Sequence, residues 1–113
     1  MKLWIDDVRP APDGYVWVKT VNDAKERIVF CEDPLPFYTR NNRRCECPAI
    51  EIELIDIDHD AGDYATDGGD YIRLLDWLEE TGRNYPIRIH SMNPVGVANM
   101  RAIIQRNGWK EVR

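Results

Sequence analysis

The sequence predicts a three-layer α/β domain with a mostly parallel sheet of about five strands and helices on both faces. Three observations predict this class. Short apolar segments alternate along the chain with segments of helical periodicity. Acidic or polar residues directly follow several apolar segments, as they do at the carboxyl ends of parallel strands. A chain of 113 residues that is 43% hydrophobic and 31% charged also suits one domain with one core.

The first half of the chain predicts two strands and one helix. The apolar segments "KLWI" (residues 2–5) and "YVWV" (residues 15–18) have the composition of strands. About nine residues separate them, too few for a crossover helix, so a loop or a tight turn must join them. Thr20 is a typical N-cap residue, and Asp23 three positions later favours a helix that ends near Phe30.

The second half continues the alternation of strands and helices. Asp67 and Asn93 each precede a stripe of apolar residues at helical spacing, and Gly82 and Gly108 follow the two stripes. We therefore expect two helices that begin at these caps and end at these glycines. Strands are expected at three further segments, residues 49–58, 86–91 and 109–112.

One domain is expected over residues 1–113, with an insertion loop at about residues 31–48. The loop contains all three cysteines, so free thiols are expected, and a zinc site built from them with a histidine is the alternative. The net charge of −5 excludes a general basic field for nucleic acid. No segment has the hydropathy of a membrane span or a signal peptide, so we expect a cytoplasmic protein without membrane attachment.

Acidic residues directly follow two of the predicted strands. Asp6 and Asp7 come after the first strand, and Asp58 ends the strand at 49–58. Because the carboxyl ends of parallel strands meet at one edge of the sheet, these carboxylates are expected to lie together. Such a group of oxygens suits a divalent cation, with Mg²⁺ or Mn²⁺ as the expected metal. Solvated strand-end acids are the alternative.

Both histidines of the chain also follow predicted strands. His59 is next to Asp58, and His90 ends a later strand. Imidazoles titrate near neutral pH, so the two could remove one proton and donate another in phosphate ester cleavage, with Asp60 orienting a ring. The alternative is that each ring makes only a structural hydrogen bond. Asp56 lies one step deeper on the strand face of Asp58, where a supporting carboxylate is expected.

Three further residues are candidates for binding a phosphate. Arg9 could pair with a phosphate bidentately, or it could neutralise the neighbouring acids instead. Ser91 offers a hydroxyl group, which could equally be a satisfied structural one. Asn93 opens a helix whose exposed amides would bind an anion.

This arrangement resembles the receiver domain of response regulators, a flavodoxin-like fold. The resemblance matches Asp6 and Asp7 to the metal-binding acids, Asp58 to the phosphoacceptor and Ser91 to the hydroxyl position. Three features depart from it. No helix fits between the first two strands, no lysine follows the last predicted strand, and histidines stand in the segments "DHD" and "HSMNP".

These departures are similar to those of the cyclic-phosphate processing receiver-like domains, and four longer motifs are shared with them. The motifs are "LWIDDVRPAP" (3–12), "DHD" (58–60), "DGGDYIRLLDW" (67–77) and "RIHSMNPVGVANMR" (88–101). The resemblance implies a receiver-like domain that lacks the first helix and that hydrolyses or recognises cyclic phosphates.

The predicted function is that of a metal-dependent phosphoesterase acting on a small-molecule cyclic nucleotide or on an RNA terminal 2′,3′-cyclic phosphate. Two non-catalytic alternatives stay open. One is a module that senses a cyclic phosphate without cleaving it. The other is a receiver that signals through a protein partner, with or without phosphorylation of Asp58. The sequence does not indicate which histidine is acid and which is base, or what the oligomeric state is.

Overall fold

The computed structural model of the protein describes residues 1–113. In chain order the strands are β1 (Lys2–Ile5), β2 (Tyr15–Val18), β3 (Phe37–Tyr38), β4 (Arg44–Cys45), β5 (Leu54–Ile57) and β6 (Ile87–Ile89). The helices are α1 (Val21–Glu32), α2 (Ile72–Glu80) and α3 (Pro94–Asn107). A short 3-10 helix (Gly62–Thr66) lies between β5 and α2.

Four strands form one parallel sheet in the order β2-β1-β5-β6. Glu111 adds a parallel bridge to Ile87 beside β6, in the position of a fifth strand. The strand predicted at 109–112 is therefore reduced to one bridging residue. The predicted class, a receiver-like α/β fold around a mostly parallel sheet, is confirmed.

All three helices pack on one face of the sheet. The crossovers that contain them run from β2 to β5, from β5 to β6 and from β6 to Glu111, so each moves in the same direction along the sheet. Because parallel crossovers are right-handed, the three helices fall on the same side. Their apolar side chains join Leu3, Ile5, Ile55 and Ile57 in one buried cluster.

The opposite face of the sheet is covered by a loop rather than by the second layer of helices that was expected. Residues 6–14 connect β1 to β2, and this segment is too short to contain a crossover helix. The loop lies against the sheet, where the carbonyl of Arg9 accepts a hydrogen bond of 2.9 Å from Trp4 Nε1. On this face Trp4 and Asp56 are buried, whereas Arg88 reaches solvent.

Two of the predicted helix caps are confirmed. The side chain of Thr20 accepts a hydrogen bond from the Asp23 amide at 3.0 Å, and that of Asn93 accepts one from the Gly96 amide at 3.0 Å. Gly108 ends α3 in the left-handed conformation, with φ at +66°. Sequence patterns predict such caps because the donor and the acceptor of each capping hydrogen bond lie within three residues of each other.

Two predicted boundaries are wrong. The strand expected at 49–58 is formed only over Leu54–Ile57, because its neighbour β1 begins opposite Leu54. Before that point the Glu53 amide and the Glu51 carbonyl bond to Met1. Asp67 does not cap α2, which begins at Ile72 after the 3-10 helix. Its carboxylate instead accepts a hydrogen bond of 2.9 Å from Asn22 Nδ2, which ties this loop to α1.

The insertion at 31–48 contains a short antiparallel hairpin, β3–β4, which the sequence did not predict. All three cysteines are free thiols, as expected, and none of them belongs to a group of three metal-binding side chains. Cys31 is buried in the core, whereas Cys45 and Cys47 are partly exposed. None of the helices combines the length and the apolar composition needed to cross a membrane.

Candidate metal and phosphate site

The candidate site follows from the register of the three central strands. Trp4 pairs with Asp56, and Asp56 pairs with Arg88, so these side chains form one row across the sheet face that carries no helix. The pairing continues beyond the strand ends, because the Asp58 amide donates to the Ile5 carbonyl at 2.9 Å and the His90 amide donates to the Ile57 carbonyl at 3.0 Å. Two residues further along each strand, the next row is Asp6, Asp58 and His90.

The donor atoms of Asp6, Asp58 and His90 all lie within 4.8 Å of one another. The three residues stand at the carboxyl ends of β1, β5 and β6, beside the point where the chain leaves β1 and β5 in opposite directions along the sheet. Ligands of open α/β sheets bind at such switch points. The row therefore has both the position and the side chains of a metal-binding site.

His90 is held by contacts to both ring nitrogens and by a stacked aromatic ring. Its Nδ1 lies 2.6 Å from Oδ1 of Asp56 and its Nε2 lies 2.9 Å from Oδ2 of Asp6. The ring stacks on Trp4 with centroids 3.8 Å apart and planes 3° apart. Only 7% of the side chain is exposed. We refer to Asp6, His90 and Asp56 as the buried chain.

Asp56 is the inner end of the buried chain. It is fully buried, and its second oxygen accepts a hydrogen bond of 3.0 Å from Nη1 of Arg88, whose head is partly exposed. Asp56 is thus a supporting carboxylate, as the strand alternation predicted. Its contact with Nδ1 leaves Nε2 as the ring nitrogen that faces Asp6 and the candidate site.

The first carboxylate of the acid pair is held by the loop that follows it. Oδ1 of Asp6 accepts hydrogen bonds from the amides of Val8 at 2.9 Å and Arg9 at 2.8 Å. Burial raises the pKa of Asp6, but these amide bonds and the contact with His90 outweigh it, so the net pKa is lowered. Asp6 is therefore held as a carboxylate.

Asp7 stands outside the three-residue group. Its Oδ2 faces Gly62, where an added Cβ would approach to 2.5 Å, so the start of the 3-10 helix packs directly against this carboxylate. Burial, followed by the negative charges of Asp6 and Asp58, raises the pKa of Asp7 above its ordinary value. The assignment of Asp7 as a metal ligand stays a prediction.

A cavity of about 330 Å³ adjoins the group and brings together the three predicted phosphate-binding residues. Arg9, Ser91 and Asn93 line it together with Asp58, Asp60 and the exposed Met92. Ser91 Oγ accepts a hydrogen bond from the Asn93 amide at 3.1 Å, so the two residues form one turn above α3. Asp58 belongs both to this cavity and to the row with Asp6 and His90.

His59 is placed differently from His90. Its Nδ1 lies 2.8 Å from Oδ1 of Asp60, and its ring lies against Gly96 of α3, where a Cβ would come within 2.4 Å of Cγ. Asp60 lines the cavity, whereas His59 does not. We refer to His59 and Asp60 as the rim pair. The two histidines therefore do not face each other across the cavity.

Two tryptophans also belong to this region, one buried and one exposed. Trp4 stacks on His90, and Trp17, which is 36% exposed, donates from Nε1 to the carbonyl of Asp6 at 2.8 Å. The alternation of β1 contained a signal for Trp4, because Trp4 and Asp6 lie two residues apart on one strand face.

Fold and site together define the class of this protein: a receiver-like α/β domain whose strand ends carry two aspartates and a histidine. The chain belongs to the family described as the cyclic-phosphate processing receiver domain, whose sequence profile matches residues 1–106. The match includes all nine predicted site residues. No curated protein and no solved structure matches the chain significantly.

Proposed function

We propose that the protein is a metal-dependent phosphoesterase that hydrolyses cyclic phosphates. The observation that carries the proposal is the convergence of Asp6, Asp58 and His90 next to a cavity lined by Arg9 and Asn93. A cation and a phosphate could therefore meet at Asp58, the residue common to both groups. Membership of the cyclic-phosphate processing family supports the same class of ligand.

The side chains of the row fit a divalent transition metal. A spacing of 2.9 Å between Oδ2 of Asp6 and Nε2 of His90 suits two neighbouring ligands of one ion. A carboxylate on the other ring nitrogen, as Asp56 provides, is the usual support of a metal-binding histidine. Because one donor of the set is an imidazole, we propose Mn²⁺ in preference to Mg²⁺, which prefers oxygen ligands.

When bound, such an ion supplies charge neutralisation for phosphate oxygens and a lowered pKa for a coordinated water. Around it, Arg9 and the amides at the start of α3 are proposed to hold the phosphate in the cavity. Arg9 already donates to the carbonyl of His90 at 3.2 Å, which places its guanidinium at the cavity wall. Ser91 is proposed to position the Asn93 turn through the hydroxyl contact.

Proton transfer is proposed for the rim pair rather than for two opposed histidines. Both ring nitrogens of His90 face carboxylates, so His90 serves better as a ligand than as a proton carrier. In the rim pair, Asp60 is the member that lines the cavity, and Nδ1 of His59 supports it. We therefore propose that Asp60 exchanges the proton with the substrate or water. His59 is proposed to orient the Asp60 carboxylate and to return it to its starting protonation state.

The test is turnover of 2′,3′- and 3′,5′-cyclic nucleotides and of RNA ending in a cyclic phosphate, in the presence of Mn²⁺, Mg²⁺ or EDTA. We expect metal-dependent hydrolysis that Asp58→Asn reduces by at least about a hundredfold. Asp63→Asn is the matched control, because Asp63 is an exposed acid on the nearby 3-10 helix. Turnover that survives in the double variant Asp58→Asn and His90→Ala would exclude the proposed site.

A cyclic-phosphate sensor is the second candidate, and one observation favours it. No histidine lines the cavity, so the phosphate-binding residues are present there without an imidazole in contact. Tight metal-dependent binding of the same ligands without turnover would identify the sensor. A signalling receiver phosphorylated on Asp58 is less well supported, because Lys110 lies beside Ile87 at the opposite end of β6. Labelling of Asp58 by acetyl phosphate would test that alternative.

A further inference from the structure

A second and larger groove lies beyond the carboxyl end of β2, on the other side of β1 from the phosphate cavity. It has a volume of about 730 Å³, within the roughly 300–1,000 Å³ of ligand pockets in general. Three exposed aromatic residues line it: Trp17, Phe30 and Tyr64. They come from β2, α1 and the 3-10 helix, so three separate elements each contribute a ring.

A lysine stands between two of these rings. Nζ of Lys19 lies 4.5 Å from the ring centre of Trp17 and 5.8 Å from that of Tyr64. The two rings therefore flank one space, which the Lys19 side chain occupies. A flat aromatic ligand could stack there while the ammonium group donates to its acceptor atoms.

The charges along the groove favour a neutral ligand over a polyanion. Lys19 and Arg27 contribute two positive charges, and Asp23 and Glu26 contribute two negative charges. An extended phosphate backbone would need an excess of positive charge, which this groove does not have. A nucleobase needs ring faces and both donors and acceptors of hydrogen bonds, and the groove offers all of these.

Hydrogen bonds and packing contacts connect the groove to the residues around the candidate metal site. Nε1 of Trp17 donates to the carbonyl of Asp6, and the hydroxyl of Tyr71 donates to the carbonyl of Lys19 at 2.7 Å. The 3-10 helix that carries Tyr64 begins at Gly62, which packs against the carboxylate of Asp7. One ligand could thus extend along the sheet edge from the carboxylates to the aromatic rings.

We propose that this groove binds the nucleobase of the substrate, so that the substrate class is a nucleoside cyclic phosphate or the terminal nucleotide of an RNA. The proposal rests on the proposed function for the position of the phosphate. The base stacks against Trp17 or Tyr64, and the phosphate lies at Asp58, where the phosphate cavity adjoins Asp6 and His90. The groove thereby discriminates nucleotides from cyclic phosphates that have no base.

The experiment compares adenosine 2′,3′-cyclic phosphate with glycerol 1,2-cyclic phosphate, which carries no base, in binding and turnover with Mn²⁺. Tyr64→Ala is expected to weaken binding of the adenosine ligand about tenfold and to leave the glycerol ligand unchanged, since base stacking accounts for an effect of that order. Tyr38→Ala is the matched control, because Tyr38 is an exposed tyrosine on the distant hairpin. Trp17→Phe, which keeps a ring, is expected to cause a smaller loss.

Adenosine alone, followed by amide and indole NMR shifts, separates this inference from the proposed function. Shifts centred on Trp17 and Tyr64 that Tyr64→Ala abolishes support the groove even if no cyclic phosphate is hydrolysed. Absence of such shifts up to millimolar adenosine, or equal effects of Tyr64→Ala on both cyclic phosphates, would overturn the base-binding groove. Loss of turnover of both ligands in Asp58→Asn tests only the phosphate site.

Discussion

The amino ends of the parallel strands form one border of the sheet, the amino edge, and their carboxyl ends form the other, the carboxyl edge. The carboxylates at these two edges make opposite kinds of contact. At the amino edge, Glu32 pairs with Arg83 through contacts of 2.8 and 3.0 Å, and Glu111 pairs with Arg101 at 2.9 and 3.0 Å. At the carboxyl edge, the carboxylates of Asp6 and Asp58 converge, and a single histidine stands between them and the interior.

The difference separates acids that an arginine neutralises from acids that contact no arginine or lysine side chain. Bidentate contact with an arginine satisfies a carboxylate within the protein and leaves little capacity for another cation. The carboxyl edge instead concentrates negative charge, which disfavours the empty site and favours a bound cation.

Removal of the His90 side chain should destabilise the protein most. His90→Ala leaves Asp6 and Asp56, both fully buried, without their shared partner, so the free energy of unfolding should fall by about 3–5 kcal/mol. His59→Ala should cost less than about 1 kcal/mol, because the main polar contact of His59 is with the exposed Asp60. Urea unfolding in EDTA measures both. Equal losses would contradict the distinction between the buried chain and the rim pair.

Asp56→Asn should weaken metal binding without removing a ligand. The carboxylate on Nδ1 of His90 would become an amide, and loss of such support typically lowers metal affinity about 10- to 100-fold. Mn²⁺ titration by calorimetry measures the change, with Asp60→Asn as the control that should bind as the wild type does. An unchanged affinity in Asp56→Asn would show that His90 does not bind the metal through Nε2.

The amino edge should lose stability in acid through Glu32. Hydrogen bonds from Arg83 lower the pKa of Glu32 below its ordinary value of 4.5. Burial raises this pKa, and the hydrogen bond from Tyr85 lowers it further. The ionised Glu32 contributes about 1–2 kcal/mol to the free energy of unfolding. This contribution is fully present above pH 4.5 and is lost as the pH falls through the lower pKa of the folded protein.

Glu32→Gln should therefore be less stable than the wild type at pH 7, and the difference should shrink below pH 4.5. Unfolding free energies between pH 3 and pH 7 provide the measurement. Glu53→Gln is the control, because Glu53 is exposed and contacts only the amino terminus. A difference that stayed constant through this range would mean that the Arg83 contact does not stabilise the ionised form.

Gly96→Ala should have the smallest effect on stability and a clear effect on the rim pair. Alanine normally stabilises a helix relative to glycine by up to about 1 kcal/mol, but a Cβ here would collide with the ring of His59. We expect no gain in stability and a displaced His59 resonance in NMR spectra, with His90 unchanged. Asn99→Ala, at an exposed position of α3, is the control. A full gain in stability with an unmoved His59 would contradict the observed packing.

The class of the fold and the strand-end position of the candidate site could both be predicted from local patterns in the amino-acid sequence. Apolar periodicity predicted the strands and helices, and Asp6 and Asp58 were recognisable as strand-end acids. The caps Thr20 and Asn93 were predicted correctly because each bonds to an amide three residues away. Such signals are local, so they depend little on the rest of the chain.

The contacts within the candidate site depend on the tertiary structure. His90 meets Asp56 across 34 residues of sequence and Asp6 across 84, and no local pattern encodes contacts of that separation. The sheet register, which the packing of α1, α2 and α3 on one face determines, places His90 in the row of Asp6 and Asp58. The same register exposes Trp17 beside that row, because the short β1–β2 connection leaves this face without a helix.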